Sequence, residues 1–157
     1  MRRDTLVGLA FDYAAHVLVA SMSGTHVAAD HERVYAAIGG LDRRGKVDAR
    51  AVALLFVVAK GTESPDAHWR RRFAEQRKNF GSPHVFLAMV TDSALMRGVL
   101  TAMSWISPEP SHVTSATRAT FEEAAAWIER RQGTPQFVLQ SLLTQAARPA
   151  EGFSLGS

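Results

Sequence analysis

The sequence predicts an α/β fold: a mostly parallel mixed sheet opened by an N-terminal antiparallel hairpin, with about five strands and four helices, plus an added C-terminal helix. Three observations predict it. Two strand-like runs, Leu6–Tyr13 and His16–Met22, follow each other across only Ala14 and Ala15. Two later apolar runs, Ala51–Ala59 and Val85–Val90, show no alternation, as strands covered on both faces do. Segments with helical three- and four-residue spacing alternate with these runs, and that alternation implies crossover units.

The opening runs read as a hairpin, although their connection carries no Asn-Gly or Asp-Gly signal. Ser23 and Gly24 end the second run. Val27, His31, Val34, Ile38 and Leu41 then form one helical stripe, and Gly39-Gly40 reads as its stop. The charged stretch Leu41–Asp48, with Gly45, reads as an exposed loop. After the strand Ala51–Ala59, Ser64 is a candidate N-cap and Pro65 a candidate first helical residue. Trp69, Phe73, Gln76 and Phe80 mark one side of the helix that follows, and Gly81 closes it.

Asp92 or Ser93 can cap a helix whose apolar face holds Leu95, Val99, Ala102 and Ile106, ended by Pro108 and Pro110. His112–Ala116 reads as a weaker strand. Thr120 and Glu123 have the spacing of a capping box for the helix Phe121–Arg131, with Gly133 as its stop. Thr134 and Pro135 open the last helix, with Val138, Leu139, Leu142, Leu143 and Ala146 on its apolar side. Residues 1–133 read as one domain, 134–148 as an amphipathic helix packing on the core or on a partner, and 149–157 as a mobile tail.

The chain has 157 residues, which suits one domain, and 46% hydrophobic against 21% charged residues, which excludes a disordered or fibrous chain. With 0 Cys, disulfide scaffolds, thiolate metal sites and cysteine nucleophiles are excluded. A net charge of +3 permits nucleic-acid binding without demanding it. No apolar run approaches the roughly 20 residues of a membrane span, so the expectation is a cytoplasmic protein.

Element order carries a resemblance. The opening hairpin, Ala51–Ala59 running into a polar turn and helix, Val85–Thr91 before Asp92–Val99, and the closing helix Thr120–Ile128 with its Glu-Glu-Ala-Ala-Ala-Trp run together resemble the STAS domain, the sulfate-transporter and anti-sigma-factor-antagonist family. The stand-alone bacterial relatives are the nearest likeness, over roughly Leu6–Arg131. The resemblance implies a non-catalytic regulatory module for protein–protein interaction in signalling, with no cofactor of its own. In that family, a Ser after the third strand is phosphorylated at a helix start. The equivalent stretch here, Lys60–Asp66, lacks the family's Asp-Ser pair and offers only Thr62 and Ser64. Thr62, Ser64 and Pro65 are therefore the candidate regulatory or contact turn. The alternatives are a small-molecule or lipid-binding domain of the same fold and a small enzyme without a recognisable motif.

Other constellations have simpler readings. Ser64 and Ser93 stand where a phosphate would meet helix amides, but each also serves as an N-cap. His26 and His31 have no metal-ligand spacing, and no site for a metal is expected. Arg70, Arg71, Arg72, Arg77 and Lys78 offer a basic helix, with Arg70 and Arg77 on one side, but their angular spread argues for a solvated face over a nucleic-acid patch. The last helix has Gln136, Gln140 and Gln145 on its polar side and no lysine belt, so it reads as a packed helix or a homodimer contact.

Overall fold

The computed structural model describes residues 5–24, 28–59, 67–94 and 110–146. Strands β1 (Thr5–Asp12) and β2 (Val17–Gly24) form the hairpin, and helix α1 (Ala28–Asp48) follows. Strand β3 (Val52–Val58), helix α2 (Ala67–Lys78), and strands β4 (Val85–Val90) and β5 (Val113–Arg118) complete the sheet. Helices α3 (Phe121–Arg131) and α4 (Gln136–Ala146) close the described chain. The helix expected over Leu95–Ile106 lies outside the described residues.

The fold class is as expected: one five-stranded mixed sheet in the order β1-β2-β3-β4-β5, with β1 antiparallel to β2 and every other pair parallel. The two unalternating runs, β3 and β4, are adjacent and interior. From β2 onward the strands are laid down in one direction. Crossovers of one hand then fall on one face, and α1 and Phe73 of α2 pack there against Leu18, Leu54, Phe56 and Leu87. The opposite face, formed by Val17, Val19, Leu55 and Ala88, is covered by α3 and α4 through Trp127, Ile128, Leu139 and Leu142. Successive side chains along a strand enter different layers, and with both layers filled Val52–Phe56 of β3 is buried without a break.

Each edge strand has its own covering helix. α3 lies over β4 and β5, while α4 lies over β1 and β2. α3 is set by local signals. Thr120 Oγ1 accepts from Glu123 N at 3.2 Å, and Glu123 Oε1 accepts from Thr120 N at 3.2 Å, so the capping box is complete. Its C-terminal end turns through Gly133 at φ 103, whose N–H reaches back to Ile128 O. α4 is set by close approach instead: a Cβ on Gly8 of β1 would overlap the Ala146 carbonyl, so only glycine lets the end of α4 rest on that strand.

One expected boundary is corrected. α1 does not stop at Gly39-Gly40, and Leu41–Asp48 is not a loop. The helix runs to Asp48 because its last turns still bury Leu41 and Gly45 against the sheet. A Cβ on Gly45 would stand 2.5 Å from Val52 Cγ2, so that glycine is a contact point. The true end is Ala49, at φ 56, where Arg50 N donates to Gly45 O at 2.9 Å. Three interior glycines, Gly39, Gly40 and Gly45, cost the helix about 3 kcal/mol against alanine. Burying Ile38 and Leu41 recovers at least a similar amount, at about 1.5–3 kcal/mol each.

Candidate functional site

The parallel strands β2–β5 all end on one rim. There Ala59 N donates to Met22 O at 2.9 Å and Thr91 N donates to Arg118 O at 3.1 Å, tying the strand exits in pairs. Thr91 is buried, and its Oγ1 accepts from Ser93 N at 3.3 Å, while Asp92 faces solvent. This side-chain turn lifts Asp92 out of the sheet's end. Thr62, Ser64 and Pro65 lie outside the described residues, in the connection from β3 to α2. Because β3 and β4 are parallel neighbours, that connection and Thr91–Ser93 leave the sheet at the same rim.

Helix α2 runs back from the rim, and the side chain of Arg70 lies outside the described residues. Arg77 sits near the far end of the helix, partly buried, with its guanidinium 5.8 Å from the Phe73 ring centre. Arg72 grips Glu32 of α1 with two hydrogen bonds of 2.7 and 3.0 Å and lies 4.9 Å from the Tyr35 ring centre. That bidentate bond holds the Glu32 carboxyl below its usual range. Burial pushes the Tyr35 hydroxyl up to about 12, against the pull of Arg72. Thus Arg72 fastens α2 to α1, while Arg71, Arg72 and Lys78 line one shallow depression with His68 and Glu75.

The opposite rim holds a cluster that sequence reasoning missed. His16 closes the hairpin at φ 58, only 7% exposed, and its Nε2 is 2.8 Å from Asp48 Oδ2. The same oxygen accepts from Arg44 Nε at 2.7 Å. The hydrogen bond from His16 first, then that from Arg44, holds the Asp48 carboxyl below its ordinary value. Gln132, just past α3, donates from Nε2 to Ala15 O at 3.0 Å and to Ala51 O at 3.2 Å. Thr134 Oγ1 donates to Ala15 O at 3.3 Å. Four segments meet here: the hairpin turn, the end of α1, the start of β3 and the end of α3. With its ring enclosed, His16 acts as a clamp. No local pattern announces it, because its partners are 32 and more residues away.

Beside this rim three large apolar side chains are exposed among charged ones. Phe11 and Tyr13 are 43% and 39% exposed, with ring centres 5.0 Å apart, and Val47 is 80% exposed. Tyr13 and Val47 share a shallow depression with Gly40, Arg43, Arg44 and Asp48. Among the described residues, no three His, Asp or Glu side chains gather as a metal site, and no helix is long and apolar enough to cross a membrane. Comparison with protein-family models, with curated proteins and with solved structures gives no match.

Proposed function

We propose that this protein is a non-catalytic regulatory module of the STAS-like type, working in the cytoplasm, whose partner is another protein. The observation that supports this reading is the strand order. In open α/β sheets a ligand crevice forms where the order of strands reverses. Here β2 to β5 advance without reversal, so among the described residues the rim at their carboxyl ends lacks the reversal that opens such a crevice. Such a rim suits a protein surface better than a small molecule. The resemblance in element order points the same way, although fold likeness alone does not carry function. The contact surface proposed is the turn with Thr62, Ser64 and Pro65, together with Asp92 and Ser93 on the neighbouring exit. Thr62 and Ser64 stand for the family's phosphorylated Ser.

The test joins capture of native partners to thermal unfolding of Ser64→Glu, Ser64→Ala and Asp92→Lys. A carboxylate at a helix start still accepts the amide bond, so Ser64→Glu should cost on the order of 1 kcal/mol or less. The expected result is loss of a partner that wild type retains, with unfolding little changed. Retention of every partner at wild-type strength by all three variants rejects the reading.

A further inference from the structure

The β1 edge up to Phe11 and the α4 flank beside it carry no charge, whereas the α1 flank sets Tyr13 and Val47 beside Arg43, Arg44 and Asp48. Thr5–Phe11 contains no charged residue and no proline, and Asp12 accepts from Ala15 N in the hairpin turn. Natural edge strands are protected by lysines, prolines, bulges or shortness. β1 is eight residues long, and within the described residues only β2 pairs with it. On its α1 side stand the exposed rings of Phe11 and Tyr13. On its other side lies α4, whose 11 residues include no charge and whose outer surface presents Phe137, 75% exposed, with Gln140, Ser141 and Thr144. Depletion of charge with exposed aromatics is the composition of an interface core.

We infer that β1 pairs antiparallel with β1 of a second copy of this chain, joining two five-stranded sheets into one, with α4 and the Phe11–Tyr13 pair packing across the two-fold axis. Three features favour a second copy over a foreign strand. Antiparallel pairing of identical strands is two-fold and closes on itself, so it satisfies both edges at once. A surface that selects a foreign partner uses charge for register and rejection. The strand and α4 carry none until Asp12, so nothing on them repels their own image. The inference is independent of the proposed regulatory contact, which sits at the carboxyl rim of the parallel strands.

The experiment is sedimentation equilibrium of the full chain from about 1 to about 200 µM, a range that brackets micromolar self-association. Wild type should move from the 17.1 kDa chain mass toward twice that value. Phe11→Lys, a charge on the edge, and Phe137→Glu, a charge on α4, should each weaken association at least about tenfold. Ser115→Lys, on the opposite edge, should leave it unchanged. Circular dichroism of each variant at the lowest concentration verifies the fold. Two separate sites keep the test decisive if one variant fails to fold. A wild type that stays at the chain mass throughout overturns the inference. So does a dimer that survives both aromatic substitutions, or one that Ser115→Lys dissociates.

Discussion

The two edges of the sheet are built by different means. At β5 the covering helix is specified next door in sequence, by the Thr120–Glu123 box and the turn through Gly133. Its outer face is charged, with Glu122, Glu123, Glu129, Arg130 and Arg131 exposed. β5 is itself short and mixed, with Ser115 exposed and Arg118 at its end. At β1 the covering helix has no charge and is seated by a glycine on a strand about 130 residues earlier in the chain. The hairpin below it is pinned by Asp48 and Gln132, again from far away. One edge is locally encoded and protected. The other is held by remote contacts, and its strand and covering helix are uncharged from Thr5 to Phe11 and from Gln136 to Ala146.

The largest break in this comparison comes from one substitution made on each edge. Gly8→Val should drive the end of α4 off β1 and cost about 2–5 kcal/mol, the scale of losing a buried leucine such as Leu139. Ser115→Val, at an exposed position of β5, should stay within about 0.5 kcal/mol. Thermal unfolding of the pair at one concentration reads both. Next in size, Thr120→Ala removes one half of the capping box directly, and chemical unfolding should register a loss of about 1 kcal/mol.

Smaller effects test the reading of α1. A Cβ on Gly39 would meet only Arg43 Nη1, at 3.6 Å, so Gly39→Ala should stabilise by up to about 1 kcal/mol. Ala49 occupies the left-handed turn that glycine favours, so Ala49→Gly should also stabilise, by about 0.5–1 kcal/mol. Unfolding midpoints that fall in both variants would contradict this account of where the helix ends.

A pH series sharpens the role of the hairpin clamp. The Asp48 carboxyl has a folded value below its ordinary 3.8. Its stabilising contribution is therefore complete above that ordinary value and is lost as pH falls through the lower, folded one. Denaturation midpoints of wild type and Asp48→Asn should differ by a constant amount at neutral pH and converge in acid. Parallel curves down to pH about 2 would mean that the carboxylate does not support the hairpin.

These contrasts explain what the sequence could disclose. β3 and β4 are legible because strands covered on both faces lose their alternation, and α3 is legible because its caps lie within its own neighbourhood. The end of α1 is not legible by the usual punctuation. Glycines stand inside the helix, where Gly45 makes room for Val52, and an alanine stands where it stops. His16 looks like the first residue of a strand until Asp48, Arg44 and Gln132 surround its turn. The uncharged polar side of α4 is visible in its glutamines, but nothing local says which edge it covers. Gly8 decides that, and a lone glycine in a strand announces only that something comes close. The candidate turn at Ser64 rests on its position after β3 in the sequence, and it lies outside the described residues.

Hydrogen–deuterium exchange of wild type at low and high concentration tests the contrast between the edges most directly. Amides in Thr5–Asp12 should exchange more slowly at high concentration, as the outward half of the strand finds partners, while Val113–Arg118 should be unaffected. Protection that rises at β5 instead, or β1 exchange independent of concentration, would contradict the account.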